Sequence, residues 1–162
     1  MDKRKILLIP DSNVFYYLNS IRSDDELFLV VRLLVIKLNI FKVWLSKEVK
    51  REVPDKYMKR IERAFREFIP VDECPIKDRN LSMEVRNECQ IHIGEADCIM
   101  QVIKVTNMNS ETRNKLGIAF LNPGFLTNDH DALNCKYVLT YSISWKTLTK
   151  EILVLYGISI PH

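Results

Sequence analysis

Glycine and proline are scarce in this chain, at 4 and 6 of 162 residues. So few leave little room for long flexible linkers. With hydrophobic residues at 47% and charged residues at 28%, the composition also excludes a disordered or low-complexity protein. The length suits a single domain, 1–162, that buries about two-thirds of its unfolded surface. Cysteine is sparse too: Cys74, Cys89, Cys98 and Cys135 make no CxxC pair and have no histidines at ligand spacing. That argues against a zinc site and leaves free thiols in a reducing cytoplasm as the expectation. No apolar run is long enough for a membrane, since residues 27–41 (LFLVVRLLVIKLNIF) are broken by Arg32, Lys37 and Asn39, short of the roughly 20 residues a bilayer needs. Behind the basic start MDKRK, the apolar stretch ILLIP reaches Asp11 too soon for a signal peptide, so a cytoplasmic location is expected. A strong charge of one sign is missing as well. The net +3 is too small to prove a polyanionic partner, although acids gathered in one site would leave the remaining surface more basic.

What is present is alternation. Residues 5–10 are a continuous apolar run suited to a central parallel strand, and 13–22 have helical character. Asp24 is expected to cap a second helix that carries the 27–38 run, apolar nearly all round and so either buried or at a subunit interface. Residues 41–45 read as a second strand, Ser46 as an N-cap, and 47–53 as a short helix halted near Pro54. From 55 to 68 the apolar positions recur with helical period. Residues 69–80 read as loop, 81–91 as helix, and a further helix runs from Gly94 to about Val105. The polar stretch 107–116 suggests a surface excursion, with GIAFL (117–121) either a short strand or a helix end. Strands are expected at 124–127 and 136–141, with a turn of helix at 131–134 between them and a last helix at 144–156. This order implies an α/β fold of three layers, α/β/α, around a mostly parallel sheet of four to five strands.

Acidic residues sit where the apolar runs stop. KILLIP ends at Asp11, the helix after KVWLS bears Glu48 and Glu52, GFLTN ends at Asp129 with Asp131 following, and Glu95 and Asp97 open GEADCIMQVI. An open α/β sheet gathers ligands outside the carboxyl ends of its strands. Carboxylate oxygens there would repel one another unless a hard cation such as Mg²⁺ or Mn²⁺ neutralised them. A phosphate-ester enzyme working through a divalent ion is the reading these residues favour.

In order and context the acids resemble the PIN domain, a metal-dependent nuclease family. IPDSNVFYYL is similar to the family's strand followed by Asp, Ser or Thr, and Asn; WLSKEVKREV to its Ser with a Glu six residues on; GEADCI to its acid at a helix start; FLTNDHDAL to its Thr, Asn or Arg, Asp pattern. The resemblance covers almost the whole chain. It implies metal ligands at Asp11, Asp97 and Asp129, with Asp131 as an additional acid, and a catalytic Glu52. Glu48 lies one turn earlier, and only the spacing from Ser46 favours Glu52. Glu95 and Asp97 stand about 200° apart around a helix, so both cannot face one cleft, and Asp97 is chosen because it matches the family position. Asn13 and Thr127 match positions that orient the acids or bind the scissile phosphate; each has a local alternative as a turn or cap residue.

The implied activity is Mg²⁺- or Mn²⁺-dependent endonucleolytic hydrolysis of single-stranded RNA, by the toxin of a toxin–antitoxin pair or by an RNA-processing enzyme. RNA, a second copy of the chain and a small antitoxin protein are the implied partners. The stretch 107–124 is longer than compact members carry, which speaks against the small toxin branch. A basic series (Lys47, Lys50, Arg51, Lys56, Lys59, Arg60, Arg63, Arg66) offers a phosphate track or an ordinary solvated face, and one or more of Phe15, Tyr16 and Tyr17 can stack on bases. Two other readings stay open: a noncatalytic RNA-binding relative, and an aspartate phosphotransfer domain built on Asp11.

Overall fold

The computed structural model describes residues 4–141. Strand β1 (Ile6–Pro10) is buried at every position, as an inner strand covered on both faces must be. It leads into helix α1 (Ser12–Asn19), and α2 (Asp24–Lys37) follows. The N-cap of α2 is Ser23, whose hydroxyl accepts from Glu26 N; Asp24, the expected cap, is the first helical residue, where its charge still suits the helix dipole. Strand β2 (Ile40–Leu45) passes through Ser46, an N-cap accepting from Val49 N, into α3 (Lys47–Glu52). Pro54 then starts α4 (Asp55–Arg66), which buries Met58, Ile61, Ala64 and Phe65 on one face.

The reading of 69–80 as loop needs correction, because a three-residue strand, β3 (Val71–Glu73), pairs with β2 there. Next come α5 (Arg79–Cys89), α6 (Ile93–Thr106), and α7 (Ser110–Lys115) within the polar 107–116 excursion. GIAFL is neither strand nor helix end: it is a turn in which Phe120 has φ 63°. Strand β4 (Asn122–Leu126) and the short α8 (His130–Leu133) follow.

The expected strand at 136–141 is helix α9 (Lys136–Tyr141), packed on α6 and α8. Its aromatic and β-branched residues favour a strand intrinsically, but strand preference is mostly a matter of what the segment packs against. The expected 144–156 helix lies outside the described residues.

Among the described residues the sheet has four strands, all parallel, in the order β3-β2-β1-β4, with helices flanking it. Helix α2 packs on β2, α4 on β3, and α6 on β1 and β4. Trp44, Phe15, Phe65 and Phe125 are the largest fully buried side chains. Leu27, Val30, Val31 and Leu34 of α2 join that core, while Leu29 and Ile36 face outward. No helix among the described residues is long and apolar enough to cross a membrane.

The expectation of four free thiols is overturned for two of them. Cys89, at the end of α5, is bonded to Cys135, just before α9, whereas Cys74 and Cys98 are free and buried. A sequence separation of 46 carries no spacing signal, and only the fold brings the pair together. Denatured without reductant, the protein is expected to titrate two thiols with a chromogenic disulfide reagent, and four after reduction; four in both cases would remove the bond.

Candidate functional site

Register decides how the site begins. Pro10 pairs with Leu126, and Asp11 N donates to Leu126 O at 2.9 Å, so the next residues, Asp11 and Thr127, leave the sheet side by side at its carboxyl edge. Thr127 Oγ1 donates to Asp11 Oδ2 at 2.8 Å, and Ser12 N donates to Oδ1 at 2.7 Å. The same hydroxyl accepts from Asn13 Nδ2 (3.1 Å) and Asp129 N (3.0 Å), while Asn13 Oδ1 accepts from Asn128 N. Asn13 and Thr127 therefore orient Asp11 and the turn that carries Asp129. Thr127 is fully buried and its hydroxyl fully engaged, so the phosphate-binding alternative has no surface to work with there.

Glu52 reaches the same place from α3. Its Oε1 accepts from Gly94 N at 3.1 Å, supplying the cap that His92 does not give to the start of α6. The approach depends on the missing side chain of Gly94: a Cβ there would stand 2.4 Å from Glu52 Oε1. Glu48, the alternative to Glu52, turns instead to Arg51 at 2.8 Å.

The larger departure concerns α6. Glu95, not Asp97, faces Asp11, Asp129 and Glu52. Burial first, then the charges of Asp11 and Asp129, a carboxyl–carboxylate hydrogen bond to Asp129 and the charge of Glu52 push Glu95 up to about 8. Asp11, 1% exposed, is pushed up to about 6, mainly by burial; the Thr127 and Ser12 hydrogen bonds oppose this and the charges of Glu52 and Asp129 add to it. No protein donor reaches the buried Glu95 Oε2. None of the four carboxylates is paired with a Lys, Arg or His among the described residues.

Asp97 lies on another side of the helix, as the 200° offset requires. Its Oδ2 accepts from Ser46 Oγ (2.5 Å) and Gln101 Nε2 (3.3 Å), and its Oδ1 from Ser82 Oγ (3.1 Å). The Asp11, Asp97, Asp129 set expected from the resemblance is thus divided: the first and last are together, and Asp97 belongs to a neighbouring polar cluster. Asp129 caps α8 through Ala132 N, while Asp131 is exposed in the first turn of that helix. Glu95 was weighed and set aside in the sequence. The signal that finds it is the glycine before it, which lets a carboxylate from another helix come close.

The surroundings limit the chemistry. Free Cys74 is pushed up to about 12 by burial and Cys98 well above its ordinary range, so neither supplies a nucleophile. His130 and His92 are exposed. Most of the basic series is spent in ion pairs, including Arg51–Glu48, Lys59–Asp55, Arg60–Asp24 and Arg66–Glu62. Phe15 is core, whereas Tyr16 is 44% exposed and donates to the backbone oxygen of Glu52.

As placed, no three His, Cys, Asp or Glu side chains among the described residues stand close enough to hold a metal ion. The donor set nevertheless fits a hard divalent cation: four carboxylates, no counter-charge, and one buried oxygen with no partner.

No protein-family model and no curated protein matches the chain. Among solved structures it is similar to the crystal structure of PAE2754 from Pyrobaculum aerophilum, at 10% identity over 93% of this chain and 98% of that one, with a TM-score of 0.47.

Proposed function

We propose that the protein is a PIN-type endoribonuclease that hydrolyses phosphodiester bonds of single-stranded RNA with Mg²⁺ or Mn²⁺. The observation that carries this reading is the meeting of Asp11, Glu52, Glu95 and Asp129 at the carboxyl edge of the sheet, without a basic partner. Two of them hold protons near neutral pH because the cluster lacks positive charge. Asp11, Glu95 and Asp129 are the residues that would hold the ion, with Glu52 beside them. When bound, a divalent ion activates water and neutralises charge on the phosphate. The chain's own part is positioning. Thr127 and Asn13 fix the Asp11 carboxylate, Gly94 admits Glu52 to the start of α6, and Tyr16 offers a ring face next to Glu52 for an unstacked base. Asp97, with its oxygens taken by two hydroxyls and an amide, leaves the ligand set.

The test is cleavage of labelled single-stranded RNA with Mg²⁺, Mn²⁺ or EDTA, by wild type, Asp11→Asn and Asp129→Asn. Metal-dependent cutting that both substitutions abolish is expected. RNA retention without cutting would favour a noncatalytic binding protein, and acid-labile phosphate on Asp11 a phosphotransfer domain.

Gly94→Ala separates positioning from folding. Alanine suits a helix better than glycine and the atom it meets ends a flexible side chain, so stability should change by less than about 1 kcal/mol. Cleavage should fall by about tenfold or more as Glu52 is displaced. Melting curves beside single-turnover rates decide this, and an unchanged rate would separate Glu52 from the chemistry.

A further inference from the structure

Next to the acidic cluster, between α3, α5 and α6, lies a cavity of about 260 Å³. It is reached by moving about one turn along α3 from Glu52 to Glu48, and along α6 from Glu95 to Asp97 and Gln101. Gln101 lines it and is 1% exposed, yet its Oε1 has no hydrogen-bond partner. The orientation of this amide follows from its neighbour: Nε2 donates to Asp97 Oδ2, and a flipped amide would set oxygen against a carboxylate. Asp97 is held in turn by Ser46 and Ser82. The wall thus presents two acceptors side by side, Gln101 Oε1 and the partly exposed Asp97 carboxylate, built by four polar side chains that the acidic cluster does not use. A buried acceptor left without a donor is costly, and such a group calls for an N–H from outside.

The rim has the opposite character. Lys77 stands within hydrogen-bonding reach of Lys47, and each ammonium disfavours the other's charge, which holds Lys77 below its usual range. Neither forms an ion pair among the described residues. Two cations side by side at a cavity mouth suit a phosphate. Ile76 and Ile93 give the cavity apolar wall between rim and floor. Phosphate at the mouth, a flat apolar middle and an edge of N–H donors at the floor describe a nucleotide. Of the four bases, guanine alone carries two adjacent N–H donors on its Watson–Crick edge; adenine and cytosine carry one amino group beside an acceptor, and uracil one N–H between two acceptors.

We infer that this cavity is a base-recognition subsite that holds a guanine nucleotide beside the cleaved phosphodiester, with Gln101 and Asp97 reading the base and Lys47 and Lys77 holding its phosphate. That the nucleotide belongs to RNA rests on the nuclease reading above; the recognition itself does not.

The experiment is a titration of the isotope-labelled full chain with guanosine 5′-monophosphate or adenosine 5′-monophosphate, followed by the side-chain amide signals of Gln101, with cleavage of mixed-sequence RNA run in parallel. The guanine nucleotide is expected to move those signals and to bind about tenfold or more tightly than the adenine nucleotide. Gln101→Leu removes an acceptor with no partner, so it should fold normally and bind the two nucleotides equally. Lys77→Ala should weaken the monophosphate but not guanosine. In cleavage, the wild type should prefer sites next to guanosine and Gln101→Leu should lose that preference. Equal binding of both nucleotides, or Gln101 signals that do not move, overturns the subsite even if metal-dependent cutting is present. Guanine-selective binding without any cutting sustains the subsite and rejects the nuclease.

Discussion

Glu95→Gln is expected to lower metal-dependent RNA cleavage on the order of 100-fold or more, while raising the melting temperature of the metal-free protein at pH 8. Both effects come from one carboxylate. Glu95 is buried among Asp11, Asp129 and Glu52, and no donor reaches its Oε2. At pH 8 about half of it would be ionised against three like neighbours, a cost glutamine removes. The amide also turns an unsatisfied acceptor into a donor facing carboxylates, which is worth about 1–2 kcal/mol, or roughly 2–8 °C for a chain of this size. Without the negative oxygen, the cluster holds a divalent ion poorly. Asp97→Asn is the contrasting change. Its oxygens are committed to Ser46, Ser82 and Gln101, so an amide nitrogen there opposes donors; expected are lower stability and a loss of cleavage under about tenfold. Single-turnover rates at saturating Mn²⁺ and melting curves in EDTA distinguish the two. If Asp97→Asn abolishes cutting and Glu95→Gln leaves it intact, the acid pattern of the sequence is right and the division of the acids described above is wrong.

Where local chemistry decides the outcome, the sequence was legible. A run of apolar residues ending in Asp11 can hardly be anything but an inner strand delivering a carboxylate, and Ser46 between KVWL and a polar helix is a cap on local grounds alone. The parallel α/β order followed from such pieces. What escaped was decided elsewhere in the chain. The 136–141 segment has strand composition but lies against α6, and β3 is only three residues long, made a strand by its pairing with β2. The Cys89–Cys135 bond joins positions with no motif between them. At the site, period correctly separated Glu95 from Asp97 but could not say which faced inward. That depends on the rotation of α6 against β1 and β4, and Gly94 with Glu52 records it. Asp97 was visible as an acid; its partners Ser82 and Gln101, 15 and 4 residues away, were not visible as a cluster.

The metal-free protein is expected to become less stable as pH rises from about 4.5 to about 8, opposite to the usual behaviour of carboxylates in ion pairs. Asp11 goes from an ordinary 3.8 to about 6 on folding, and Glu95 from 4.5 to about 8, in both cases chiefly through burial. Between the unfolded and folded values the native state keeps protons that the unfolded chain has released, so each upward step in pH favours unfolding. The stabilisation is complete below about pH 4, fades as Asp11 ionises near pH 6, and is gone once Glu95 has ionised near pH 8. At 1.36 kcal/mol per pH unit, Asp11 alone accounts for up to about 3 kcal/mol. This corresponds to a fall of roughly 5–10 °C in melting temperature, with Glu95 acting in the same direction. Melting curves in EDTA from pH 4.5 to 8.5 measure the slope, and Glu95→Gln should flatten its upper half. Adding Mn²⁺ should raise the melting temperature more at pH 8 than at pH 5.5, since protons and the ion compete for the same oxygens. A melting temperature that stays level with pH in EDTA would mean that water already screens these carboxylates from one another. There would then be no stored repulsion for a cation to relieve, and the strongest physical reason for placing one among Asp11, Glu95 and Asp129 would be lost.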